Sequence, residues 1–307
     1  MEKRKIGSLV VTAVGLGCNN FGGRLDEDAT TRVVRAALDA GIDFFDTADI
    51  YGNYGLSEEY LGRALGAQRS DVFIATKFGM KMDDKRHGAR PEYVRQAAED
   101  SLRRLGTGHI DLYQLHTPDP DVPIAETLGA LNELVRAGKV REIGCSNFSV
   151  QQIRDAESAA MQRGTARFVS VQNEYSLLHR EPEQGVLEEC ERVGAAFLPF
   201  FPLASGLLSG KYHRGRPAPP GSRLSSGPRA DQLTDAALQR VEALRTFANS
   251  RAHTLLDLSF AWLLSHSVIA SVIAGATKPE QVKANVAAAE WRMSEVDCAA
   301  VEAILKG

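Results

Sequence analysis

The chain has 307 residues, 44% of them hydrophobic, with 36 Lys and Arg against 39 Asp and Glu for a formal charge of −3. That length and balance suit one large α/β barrel or two ordinary domains, and the chain has neither the basic excess of a nucleic-acid binder nor the apolar run of a membrane span. The N-terminus, MEKRKIGSLVV, lacks the apolar segment and cleavage site of a signal peptide, so the reading is cytoplasmic; Cys18, Cys145, Cys190 and Cys298 lie far apart with no CxxC spacing, so no metal site is expected.

Two short β-like pieces, KRKI and LVV, meet at Gly7-Ser8 and predict a hairpin that closes one end of a barrel. Eight short apolar runs follow, at 13–17, 42–46, 72–77, 110–116, 141–146, 168–172, 195–200 and 270–275, with amphipathic helical patterns between them. Most of these runs are apolar on consecutive residues, as strands covered on both faces must be. Pro91 and Pro123 suit first helical positions, Ser149 with Gln152 forms a capping-box pattern, and Gly41, Gly66, Gly106 and Gly138 sit where helices should stop. The stretch 213–232, rich in Pro, Gly and Arg, fits no regular element and reads as a loop of the kind that is either functional or disordered. With no repeat and no linker, the prediction is a single (β/α)8 TIM barrel domain over 1–307, its bottom closed by the N-terminal β-hairpin. A doubly wound open sheet is the alternative.

In such a barrel the active site is built at the C-terminal ends of the strands. Asp46 ends the second predicted strand, with Tyr51 in the loop beyond it; Lys77 ends the third and His116 the fourth. Taken singly, each has an ordinary structural reading as a cap, a solvated lysine, a loop aromatic or a structural histidine. Together at one barrel mouth they suit proton transfer to a carbonyl oxygen. A phenol is a weak acid near neutral pH, and an adjacent ammonium is expected to lower its pKa. Lys77 would supply that cation, Asp46 would keep it charged and oriented, and His116 would orient the substrate oxygen.

The succession DTADIYG, ATKFG, DLYQLH and GKVREIGCSNF resembles the aldo-keto reductases, and the resemblance runs from the N-terminal hairpin to GATKPEQVKANVAA. It implies a (β/α)8 barrel that reduces carbonyls with a nicotinamide cofactor, with Asp46, Tyr51, Lys77 and His116 as the catalytic residues and Tyr51 as general acid. No GxGxxG or Walker pattern opens a βα unit, so the cofactor belongs at the barrel mouth. The resemblance implies that Ser146, Asn147 and Gln172 hold the nicotinamide carboxamide and that Phe200 stacks on its ring. It further implies that Leu203, Gly206 and Lys211 meet the pyrophosphate and that Arg223 lies near the adenosine end. The family usually has Tyr-Ser where this chain has Phe200-Phe201. In GATKPEQVKAN, backbone amides at a helix start favour an anion, and Lys278 adds charge. Here the resemblance places Gly275 in the cofactor site, Thr277, Lys278 and Gln281 around a 2′-phosphate and Asn285 at the adenine, with Ala284 where relatives often have glutamate. The expectation is therefore an NADPH-dependent reductase (NADPH/NADP+) of aldehydes, and of ketones as a further class, with a small-molecule carbonyl substrate and no nucleic-acid or membrane partner. Two other readings are an NADPH-binding regulatory subunit with slow turnover, as the potassium-channel β subunits of this family are, and a Schiff-base aldolase using Lys77.

Overall fold

The computed structural model describes residues 1–225 and 229–306, and it begins with the predicted hairpin. β1 (Lys3–Ile6) and β2 (Leu9–Thr12) pair antiparallel, joined through Gly7 at φ +57, a left-handed turn position that favours glycine. A Cβ at Gly7 would stand 2.6 Å from the Glu142 carboxylate, which also accepts from the Ser8 N–H at 2.7 Å, so the turn is pinned to the barrel as well as bent.

The eight predicted runs are the eight parallel strands β3 (Val14–Gly17), β4 (Phe44–Asp46), β5 (Phe73–Phe78), β6 (Ile110–Leu115), β7 (Val140–Ser146), β8 (Phe168–Glu174), β9 (Ala196–Phe200) and β10 (Val272–Gly275). Their spatial order is β10-β3-β4-β5-β6-β7-β8-β9. The ring closes where the Phe197 N–H donates to the Val268 carbonyl at 2.8 Å and the Ala270 N–H to the Phe197 carbonyl at 3.2 Å. No point of strand-order reversal exists in this order, which sets aside the doubly wound alternative.

Around the strands lie α1 (Glu27–Asp39), α2 (Tyr51–Leu65), α3 (Pro91–Leu105), α4 (Ile124–Arg136), α5 (Val150–Arg163), α6 (Val186–Val193), α7 (Asp235–Ser250), α8 (Leu255–Leu264), α9 (Pro279–Ala288) and α10 (Glu295–Lys306). Pro91 opens α3, the Ser149–Gln152 capping box opens α5, and Gly106 ends α3 in the left-handed region at φ +62. Pro123 differs from expectation: with ψ 127° it is the residue capping α4, and the helix begins at Ile124. The irregular stretch 213–232 holds a short 3-10 turn at Ala230–Gln232, and its residues 226–228 lie outside those described. Among the described residues no helix is long and apolar enough to cross a membrane.

Two cores result. The larger lies between strands and helices; the smaller lies inside the barrel, where Phe44, Ala75, Leu112 and Leu198 meet Ala270 and Ile273 and are plugged from below by Ile6, Leu9 and Val11 of the hairpin. Each large apolar side chain buried there contributes about 1.5–3 kcal/mol. This plug makes the barrel solid at one end and leaves the opposite, C-terminal end for polar groups.

Candidate active site

Side chains along a strand alternate faces, so the residue two beyond an inward apolar one also points inward. Asp46 follows Phe44, Lys77 follows Ala75 and Gln114 follows Leu112 by that interval, and these polar residues meet directly above the apolar layer. Lys77, 0% exposed, donates to Asp46 Oδ1 at 2.6 Å and to the Thr47 carbonyl at 2.8 Å. Asp46 Oδ2 accepts from Gln172 Nε2 at 2.9 Å and Gln114 Nε2 at 3.4 Å. The carboxylate is thereby surrounded by donors, the condition under which a buried ion pair is tolerable.

Tyr51 and His116 complete the group. The Lys77 Nζ lies 5.2 Å from the Tyr51 ring centroid, and the Tyr51 and His116 rings meet edge to face at 5.7 Å and 81°. His116 stands just past β6, its N–H donating to the Phe78 carbonyl at 2.8 Å, and its Nδ1 has no partner. The chain leaves Tyr51 in an unusual way. Gly52, Asn53 and Tyr54 are consecutively left-handed at φ 66, 57 and 66, and Gly55 follows at φ 123. Such a conformation costs a non-glycine residue about 1–2 kcal/mol. Only glycine fits at position 52, where a Cβ would stand 2.4 Å from the Phe21 carbonyl oxygen.

The electrostatics correct one expectation. Burial, the largest influence on Tyr51, holds its hydroxyl above the ordinary phenol value, and the Lys77 ammonium only moderates that rise. Burial acts against the Lys77 ammonium, but Asp46 and Tyr51 outweigh it and raise its pKa. His116 falls to about 3 through burial and the nearby Lys77, so it is a neutral imidazole at physiological pH. The site thus holds a protonated phenol, a charged ammonium and an uncharged histidine.

The residues expected to meet the cofactor lie at the ends of β7, β8, β9 and β10. Ser146 Oγ donates to the Gln172 carbonyl at 2.7 Å; Asn147, left-handed at φ 62, donates to the His116 carbonyl at 2.9 Å and to Ser146 Oγ at 3.1 Å. These two and Gln172 are therefore continuous with the group of Asp46, Lys77, Tyr51 and His116. Phe200 ends β9, its ring 5.4 Å from that of Phe201. Phe201 is left-handed at φ 50, and its ring lies 4.1 Å from the guanidinium carbon of Arg229 and 5.5 Å from that of Arg223. Leu203 leads into Ala204, Ser205 and Gly206, at φ 45, 57 and 101, and a Cβ on Gly206 would lie 3.1 Å from Lys211 Nζ. Arg223 donates to Asn20 Oδ1 at 3.2 Å, while Asn20 Nδ2 donates to the Ala276 carbonyl at 3.3 Å and would lie 3.2 Å from a Cβ on Gly275. Gln281 Oε1 accepts from the Thr277 N–H at 2.7 Å and hydroxyl at 3.1 Å, Lys278 is exposed at the cap of α9, and Asn285 is buried.

These groups fit a nicotinamide dinucleotide. A glycine cradle against a lysine ammonium, and a helix N-terminus carrying an exposed lysine, are two places where phosphate is favoured. Several participants escape sequence reasoning. Thr47 acts through its carbonyl, which leaves no mark in the sequence. Gln114 does leave one, because DLYQLH puts it two residues from both Leu112 and His116. Arg229, paired with Glu174 at 3.2 Å, lies in a loop without periodicity.

A family model described as the aldo/keto reductase family matches residues 13–306. An uncharacterised oxidoreductase of Bacillus subtilis is 36% identical over 294 residues, covering 92% of this chain and 88% of its own. A probable voltage-gated potassium channel subunit beta of Oryza sativa is 34% identical over 279 residues, covering 87% and 84%. Among solved structures, the glycerol dehydrogenase of Gluconobacter oxydans aligns with a TM-score of 0.85 and 31% identity over 99% of this chain and 95% of its own. An aldo-keto reductase of Bacillus halodurans in its holo form aligns with a TM-score of 0.80 and 33% identity, covering 99% and 96%. The barrel is the fold of such enzymes, and the chain belongs to the aldo/keto reductase family as an oxidoreductase dependent on a nicotinamide cofactor.

Proposed function

We propose that the protein reduces aldehydes, and ketones as a second class, to alcohols with NADPH, using Tyr51 as the general acid. The observation that carries this reading is the assembly of Tyr51, Lys77, Asp46 and His116 at the open end of the barrel, with the lysine paired at 2.6 Å and the histidine neutral. When bound, the reduced nicotinamide supplies the hydride. Tyr51 supplies the proton: burial keeps its hydroxyl protonated until substrate arrives, and the Lys77 ammonium stabilises the phenolate that forms as the proton passes to the carbonyl oxygen. Asp46, held by Gln172 and Gln114, keeps Lys77 charged throughout. A neutral His116 can donate one N–H to the substrate oxygen without competing as a stronger acid.

In this reading Ser146, Asn147 and Gln172 hold the carboxamide, Phe200 covers the ring, Leu203, Gly206, Lys211 and Arg223 take the diphosphate and adenosine, and Gly275, Thr277, Lys278, Gln281 and Asn285 take the adenylate end. NADPH is favoured over NADH because Lys278 brings an exposed cation to the N-terminus of α9. A Schiff-base role for Lys77 needs a neutral amine, and the Asp46 pairing works against it. The likeness to channel β subunits favours a second reading, cofactor binding with little turnover.

The test follows the absorbance of NADPH and NADH with a reactive aromatic aldehyde, with wild type and Tyr51→Phe side by side. Consumption of NADPH by wild type alone supports the reductase. Tight NADPH binding without consumption across a panel of carbonyls favours the second reading.

A further inference from the structure

Asp49 stands two residues before Tyr51 and has no part in the chemistry above. Its N–H donates to the Lys77 carbonyl at 3.0 Å, which ties it to the strand carrying the catalytic lysine. The residue is 1% exposed, and neither oxygen of its carboxyl group has a hydrogen-bond partner. The groups facing it are Glu58 of α2, Arg104 and Tyr93 of α3, Lys77 of β5 and Tyr113 of β6.

Both cations are already engaged. Arg104 Nε donates to Glu58 Oε2 at 2.6 Å, Thr76 donates to Glu58 Oε1 at 2.5 Å, and Arg104 reaches Ser101 Oγ at 3.2 Å. Lys77 is held by Asp46. Tyr113, fully buried, has a hydroxyl that is likewise without a partner. A buried carboxylate with no donor is costly, whereas the protonated acid gains a donor of its own and carries no charge. Burial and then Glu58 push the Asp49 carboxyl up to about 7, against the weaker pull of Arg104, of the neighbouring Ile50 amide, whose approach falls short of hydrogen-bond geometry, and of Lys77.

We propose that Asp49 tunes the general acid: held as an uncharged carboxylic acid in the wall behind Tyr51 and Lys77, it weakens Tyr51 when it ionises. On ionisation the proton leaves to solvent and a negative charge stays on Asp49, within electrostatic reach of Lys77. That charge favours the ammonium and opposes phenolate formation at Tyr51, so reduction slows as pH rises through neutrality. The inference rests on the reductase reading for its effect on rate, but the protonation state of Asp49 can be tested independently.

The variant is Asp49→Asn, which keeps the shape and removes the titration. For an acid whose folded pKa is raised, the folded chain keeps a proton that the unfolded chain has lost. The associated stability is fully present below about 3.8 and is lost as pH rises to about 7. Asp49→Asn should therefore gain on wild type in thermal midpoint between about pH 5.5 and pH 7, with no further gain at higher pH. Infrared spectra at about pH 6, where ordinary carboxyl groups are ionised, should show a protonated-carboxyl band in wild type that is lost above neutrality and is missing from the variant at the same pH. NADPH-dependent kcat/KM of wild type should fall about two- to fivefold across this transition, and the variant should lack that step. A stability difference that is equal at every pH, or superimposable pH–rate profiles for the two proteins, overturns the proposal. If neither protein consumes NADPH, the reductase reading fails, and with it the rate effect, while the thermal and infrared results still decide whether Asp49 is neutral.

Discussion

The inside of the barrel has two layers built from the same strands. Phe44, Ala75 and Leu112 form the lower one with the hairpin residues; Asp46, Lys77 and Gln114, each two positions further along the same strand, form the upper one. The lower layer stabilises by excluding water and needs only shape. The upper layer holds a buried ion pair whose pieces depend on one another, so it adds little stability of its own and much chemistry. A strand alternation that elsewhere only distinguishes inside from outside here distinguishes structure from function along a single inward face.

Substitutions can break this contrast. The largest effect is expected from Lys77→Met, which leaves Asp46 buried without its cation and should cost about 3–5 kcal/mol in urea unfolding as well as activity. The double variant Asp46→Leu/Lys77→Met should recover most of that stability and none of the turnover, and a double variant as unstable as the single one would deny that the upper layer is a coupled pair. Leu112→Ala in the lower layer should lose about 2–5 kcal/mol while the folded fraction keeps its kcat. Tyr51→Phe should reverse that pattern: stability is kept, and kcat falls by about a hundredfold or more, equivalent to about 2.7 kcal/mol. Least costly is Lys278→Ala, for which titration should show a Kd for NADPH raised about tenfold with that for NADH nearly unchanged. Equal losses for both cofactors would count against the assignment of Lys278 to a 2′-phosphate.

All eight strands were legible because a strand covered on both faces must be apolar at consecutive positions, and the four residues proposed for catalysis were legible as a group because they interrupt or follow those runs at one end. What stayed hidden depends on backbone shape or on depth. Asn53, Tyr54 and Phe201 adopt left-handed conformations that no one expects of such residues from sequence, since the rest of the fold compels them. The direction of the Tyr51 shift was misjudged because the ammonium beside it can be read from the sequence and the extent of its burial cannot. Pro123 was one position off because its extended ψ lets it serve as the cap before the helix.

The ring of strands is not uniform around its circumference. β10 pairs with β3 over a full ladder, but on the other side the closing bonds come from the segment before it, through Val268 and Ala270 against Phe197. That junction is a seam, held by fewer backbone bonds than the continuous β5-β6-β7 wall opposite. Local opening should begin there, so the amide of Ala270 should exchange its hydrogen sooner than that of Tyr113. Because the seam flanks β9, whose far end carries Phe200 and the loop beyond it, a barrel that breathes there would loosen the side proposed to hold the cofactor while the side of Lys77 and His116 stays closed.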